Sequence, residues 1–243
     1  MRLGFYLNPI IRVRDGQYRN EPDPALIAGL AEGAGMGIVL MGWAPGQEGG
    51  LTERDARLIR EMIHGDLLAV TTPESRNVDS IVKLRPEGVV LVGSGWDGRT
   101  EARPLTPENE EEFSDIVTSY HSAGIQISAL VEPDINRLKN LSKYKLDGVT
   151  LDASKYTHAQ TDSEAEAALD RLSDAAMAAY KLGLLPSAAH GLNYRNIGPV
   201  SRINYLEEIY IGHAIVARSL VVGLDRAIGD ILTQVFRNSL MNR

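Results

Sequence analysis

The 243-residue chain has no cysteine, which excludes a disulfide framework and thiolate metal ligation. Aromatic residues are scarce, 6% against 44% hydrophobic residues overall, so a core built from this sequence is largely aliphatic. A basic excess is missing as well: 25 Lys and Arg face 32 Asp and Glu, for a formal net charge of −7 and a pI near 5.3. That balance argues against nucleic-acid binding while permitting a small local phosphate site. No apolar run approaches the roughly 18 residues of a membrane span. The opening "MRLGFYLNPII" has one basic residue and no signal-type cleavage region, and it reads as a strand. No two histidines stand four apart and no HExxH occurs, so a metal site has little support. The expectation is a soluble, cytoplasmic protein with one domain over residues 1–243.

What is present is a regular alternation. Short aliphatic runs at 3–8, 37–41, 66–70, 88–92, 125–131, 148–151, 184–189 and 207–211 read as strands. Continuous Val, Ile and Leu without polar alternation suit strands buried on both faces, as in a parallel sheet. Helical patterns lie between them at 23–34, 52–63, 73–84, 106–124, 132–144 and 161–183, with a poor short helix near 195–203 and a last one from His213 to about Arg237. Asp23 before Pro24, and Thr52 before its helix, are N-cap signals; Gly124 is a stop signal. Eight strand–helix units at this length predict an α/β fold of the (β/α)8 TIM-barrel type, with extra helices possible. An open doubly wound sheet is the alternative, but it places a glycine-rich phosphate turn after its first strand, and "YLNPIIRVRDG" contains none.

In such a barrel the active site lies at the C-terminal ends of the strands, and phosphate often binds after strands seven and eight. His190-Gly191 and Gly212-His213 fall at those two junctions. Glycine lets backbone N–H groups approach an oxyanion closely, and the N-terminus of the last helix adds partial positive charge. Gly191 and Gly212 are therefore candidate phosphate-binding residues, and the expected partner is a small phosphorylated molecule.

"AAHGLNYRNI" and "YIGHAIVARSLVVGL" resemble the C-terminal third of the pyridoxine 5'-phosphate synthase family, the ring-closing enzymes of vitamin B6 synthesis. "EPDP", "LTERDARLIRE", "AVTTPE", "AGIQISALVEPD" and "QTDSEAEAA" follow in family order. The resemblance implies a TIM barrel with additional helices, usually assembled as an octamer. It also implies condensation of 1-deoxy-D-xylulose 5-phosphate with 3-amino-2-oxopropyl phosphate, without metal or organic cofactor. By position, His190 matches a family catalytic histidine, Gly191, Gly212 and His213 match phosphate-binding positions, and Asn8 and Thr100 match substrate-binding positions.

The resemblance fails at the reaction centre. The family's Asp-His after the first-strand Asn is "PIIRVRDG" here; Met41 and Trp43 stand near its strand-two His and Arg; Leu67 stands at its strand-three glutamate. The Pro-Glu-Lys/Arg motif after strand four is replaced by "VGSGWDGRTEARP", and the strand-six Glu-x-His by Thr150 and Asp152. Condensation needs several proton transfers, each worth roughly 10²–10⁴-fold from a positioned acid or base, and leucine and methionine transfer none. Three readings stay open: a divergent enzyme acting on a related phosphorylated carbonyl or amine, a true synthase with substitute groups, and a non-catalytic phosphate-ligand binder or regulatory paralogue. Asp152, at the end of strand six, is a candidate catalytic residue in addition to His190, and Arg12 and Arg14 are candidates for a second phosphate or carboxylate. Glu132, Asp97, Arg99 and Lys155 are further charges near strand ends, each also readable as a solvated loop residue. Trp43 and Trp96 read as ring-stacking or barrel-capping groups. His158 reads as a loop residue within reach of the site; His64 and His121 suit helix C-termini. The long apolar last helix predicts a homo-oligomer interface.

Overall fold

The computed structural model describes residues 1–14, 21–44, 50–98 and 101–240. Eight strands, β1 (Arg2–Tyr6), β2 (Ile38–Gly42), β3 (Asp66–Thr71), β4 (Gly88–Leu91), β5 (Gln126–Val131), β6 (Gly148–Asp152), β7 (Leu185–Ala189) and β8 (Glu208–Ile211), pair in parallel with their successors. β8 returns to β1 with Gly4 opposite Tyr210, closing the barrel. The helices are α1 (Asn8–Arg14), α2 (Pro24–Gly33), α3 (Glu53–Met62), α4 (Ser75–Leu84), α5 (Glu110–Ser122), α6 (Ile135–Ser142), α7 (Ser154–Thr157), α8 (Asp162–Lys181), α9 (Ile197–Val200), α10 (His213–Val222) and α11 (Leu224–Leu240). The (β/α)8 expectation holds, with α1, α7 and α9 as short additions.

Local chemistry sets the helix starts. Asp23 accepts from the amides of Ala25 and Leu26, with Pro24 following, and Thr52 and Asp55 form a reciprocal capping box. Three boundaries differ from expectation. α5 begins at Glu110 because Asn109 caps it, while Leu105 still bonds through its N–H to the Leu130 carbonyl, 2.7 Å away, and so stays with the barrel. β1 ends at Tyr6, and Asn8, expected at the strand end, opens α1 instead. The expected single last helix breaks at Gly223, whose φ of 84° lies outside the helical range, giving α10 and α11. Leu220 and Val221 stand exposed beside that break, and Phe236, further along α11, is exposed as well.

Side chains alternate across each strand, so every second residue faces the barrel axis. The axis-facing side chains fall into two unlike halves. Ile38, Leu40, Leu68, Val70, Val90, Val92 and Leu130, from β2 to β5 and just past β4, make one aliphatic wall. The other half is hydrogen-bonded: Ser187 donates to Thr150 Oγ1 at 2.9 Å, Ser128 lies 3.3 Å from the same hydroxyl, Tyr210 donates to Glu208, and Glu208 pairs with Arg2. The odd-numbered positions of β2 and β3, including Met41 and Leu67, join the outer core beneath the helices.

Candidate functional site

A cavity of about 370 Å³ opens at the C-terminal mouth of the barrel. Its polar rim is assembled mainly from β1, β7, β8 and the segments that follow them, with Glu101 after β4 and His158 after β6. His190 leaves β7 with φ 79° and Gly191 follows with φ 66°, two successive left-handed residues that turn the chain sharply across the mouth. An L-residue in that region is strained by roughly 1–2 kcal/mol, so the His190 conformation must be held by its surroundings. It is: Nδ1 of His190 lies 3.1 Å from Asp152 Oδ1, and the Ser154 amide donates to that same oxygen at 2.8 Å.

The Asp152–His190 pair has a defined polarity. Burial pushes the Asp152 carboxyl up, but the hydrogen bond and charge of His190, with the Ser154 bonds, outweigh burial and hold it below the ordinary aspartate value. An ionised carboxylate only accepts, so Nδ1 donates toward it in either form of the ring, and Nε2 is the nitrogen left to exchange a proton with a ligand. Glu101, from the segment after β4, brings a second carboxylate to 3.8 Å from Nδ1. An imidazolium formed by proton uptake at Nε2 would thus meet two negative groups.

The second junction is a helix start. Gly212 is the N-cap of α10, no side chain caps the helix, and Gly212, His213 and Ala214 all line the cavity. Both glycines also have packing requirements of their own. A Cβ on Gly191 would sit 2.1 Å from Thr157 Oγ1, and one on Gly212 would sit 2.7 Å from the Tyr6 carbonyl oxygen. Arg12 lines the same cavity, one helical turn after Pro9, whose Cγ would lie 3.1 Å from a Cβ on Gly212; the α1 turn that carries the guanidinium therefore packs beside the α10 start. Burial pushes the phenol of Tyr6 well above its usual range, against the opposing charge of Arg12, so it faces the cavity as a neutral hydroxyl.

Several expected residues are placed elsewhere. Arg14 turns away from the mouth: Nη1 bonds Asp55 Oδ2 at 3.0 Å and Nη2 the Gly50 carbonyl at 3.2 Å, so it ties α1 to α3. Asn8 lines the cavity, but its amide is engaged, Oδ1 accepting from Gly42 N at 2.6 Å and Nδ2 donating to the Gly98 carbonyl. Thr100 and Arg99 lie outside the described residues. Glu132 pairs with Arg137 and Lys155 at 3.6 and 3.7 Å, away from the cavity, which also removes Lys155 from it. Trp43 points outward, donating to Ser80 Oγ at 2.9 Å, whereas Trp96 packs with the aliphatic wall. Leu67 and Met41 face the outer core; the inward residues beside them, Leu68, Val70 and Leu40, are aliphatic too. His158 lines the cavity rim. Sequence reasoning missed Glu101, Tyr6 and Tyr210. The two tyrosines had a signal, since each is two residues from another inward position, but Glu101 sits in an aperiodic segment that offers none. Among the described residues no three His, Asp or Glu side chains are grouped to hold a metal, and no helix is long and apolar enough to cross a membrane.

A closed (β/α)8 barrel with its ligand-sized cavity at the C-terminal mouth defines the class. Within that class, residues 3–237 match the family model described as pyridoxal phosphate biosynthesis protein PdxJ, and the chain belongs to that family. The pyridoxine 5'-phosphate synthase of Synechococcus sp. (strain JA-2-3B'a(2-13)) is 30% identical over 232 residues, covering 95% of this chain and 97% of its own. That of Pelodictyon phaeoclathratiforme (strain DSM 5477 / BU-1) is 31% identical over 249 residues, covering 96% and 98%. Among solved structures, tryptophan synthase from M. tuberculosis superposes with a TM-score of 0.66 at 14% identity, covering 96% of this chain and 92% of that one, a likeness of fold alone.

Proposed function

We propose that the chain binds a small phosphorylated carbonyl or amine at the barrel mouth and catalyses proton transfer on it, a divergent activity within the pyridoxine 5'-phosphate synthase family. The phosphate is held at Gly191, Gly212 and His213 by backbone N–H groups and the start of α10, with Arg12 beside them. His190 Nε2 takes a proton from the carbon beside the carbonyl. The C–H electron pair becomes a C=C bond as the carbonyl π pair moves onto oxygen, and the imidazolium is stabilised by Asp152 and Glu101. The observation that carries this reading is the 3.1 Å Asp152–His190 pair beside an uncapped helix start. The aliphatic β2–β5 wall supports divergence, because it offers no group for the additional proton transfers of the relatives' condensation.

The test follows solvent deuterium incorporation into 2-oxopropyl phosphate, a phosphorylated ketone without free hydroxyls, by NMR. Exchange is expected with the wild-type chain and falls at least about 100-fold in His190→Gln. Equal exchange in both proteins refutes the assignment of the base. Formation of pyridoxine 5'-phosphate from 1-deoxy-D-xylulose 5-phosphate and 3-amino-2-oxopropyl phosphate refutes the divergence.

A further inference from the structure

We infer that the part of the ligand remote from its phosphate is an uncharged, apolar body seated against the aliphatic half of the barrel. The inference rests on the phosphate placement proposed above and adds the substrate class. Leu40, Val70, Val90, Val92 and Leu130 all line the cavity, and Ala102 continues that surface beyond β4. None carries a side-chain polar atom, and the backbone groups of these strands are engaged in the sheet ladder. Apart from Glu101, whose carboxylate reaches across to His190, the polar groups of the cavity lie on the opposite arc, from β6 through β8 to β1.

Such a division discriminates strongly. A polyhydroxylated chain leaning on this wall loses water from its hydroxyls and gains no partner, at roughly tenfold in affinity or more for each buried hydroxyl. An aliphatic or ring carbon there is favoured, by about fourfold per methylene removed from water. The volume of about 370 Å³ admits a ring or a short chain beside a phosphate and little more.

The experiment is calorimetric titration of the full chain with inorganic phosphate, the n-alkyl phosphates from methyl to pentyl, and glycerol 3-phosphate. Affinity is expected to rise about fourfold per methylene until the cavity fills. Propyl phosphate should bind at least about tenfold more tightly than glycerol 3-phosphate, which has the same three carbons with two added hydroxyls. Val90→Thr, nearly the same shape, should flatten the alkyl slope, and its thermal unfolding shows whether the barrel is intact. A flat alkyl series, or glycerol 3-phosphate binding as tightly as propyl phosphate, overturns the apolar-body inference while phosphate binding stands. Failure of inorganic phosphate and of every ester to bind overturns the underlying phosphate site, and this inference with it.

Discussion

Replacing Gly191 by alanine combines two separable penalties. Its φ of 66° is left-handed, which costs an L-residue roughly 1–2 kcal/mol. The new methyl would also lie 2.1 Å from Thr157 Oγ1 and 2.7 Å from Thr157 Cβ. The hydroxyl can rotate away, but Cβ moves only with the backbone of α7, so overpacking adds roughly 1–3 kcal/mol. Gly183 isolates the first penalty: its φ is 79° and a methyl placed there would meet nothing within 4 Å. Urea unfolding of Gly183→Ala should therefore show a loss of about 1–2 kcal/mol, and Gly191→Ala about 2–5 kcal/mol. Thr157→Gly in the Gly191→Ala background should recover part of the difference. Gly191→Ala should also lose the rise in melting temperature caused by inorganic phosphate, because the displaced chain is the one that crosses the mouth. If Gly191→Ala costs no more than Gly183→Ala, close packing against Thr157 does not set the geometry of this turn, and the reasoning fails.

Other outcomes follow from single features. Asp152 has a lowered folded-state pKa, so its contribution to stability is complete above the ordinary aspartate value of about 3.9 and is lost as pH falls through the lowered one. Asp152→Asn should remove that part of the acid dependence, and unfolding midpoints between neutral pH and pH about 2.5 that keep the wild-type slope would contradict it. Tyr120 is fully buried and its hydroxyl has no partner among the described residues; Tyr120→Phe should raise stability by about 1 kcal/mol in urea, and a loss instead would reveal a partner. The exposed Leu220, Val221 and Phe236 are expected to be covered by a second copy of the chain, so light scattering should give an oligomer, and a monomer would remove that expectation.

Much of this molecule was legible in the residues alone. The eight aliphatic runs specify β-strands because each is buried on both faces, and their even spacing by helical patterns leaves barrel closure as the economical arrangement. Asp23 and Thr52 cap helices as their side-chain chemistry requires. The junctions at His190-Gly191 and Gly212-His213 were visible because position after strands seven and eight is a property of chain order. Register and orientation were not. One residue along a strand reverses the face a side chain presents, so sequence matching placed Leu67 and Met41 at reaction positions that point to the outer core. Arg14 looked equivalent to Arg12 two residues earlier, yet only the packing of α1 on α3 directs it to Asp55.

The sequence by itself determined the barrel, its order of strands and the two glycine junctions, since these depend on local pattern and connectivity. Tertiary structure alone decided that Asp152 and His190, 38 residues apart, meet at 3.1 Å. It also decided that Glu101 joins them and that the barrel interior divides into an aliphatic and a hydrogen-bonded half. Those facts come from closing eight strands in one register, and no contact across that closure is encoded in any short stretch of chain.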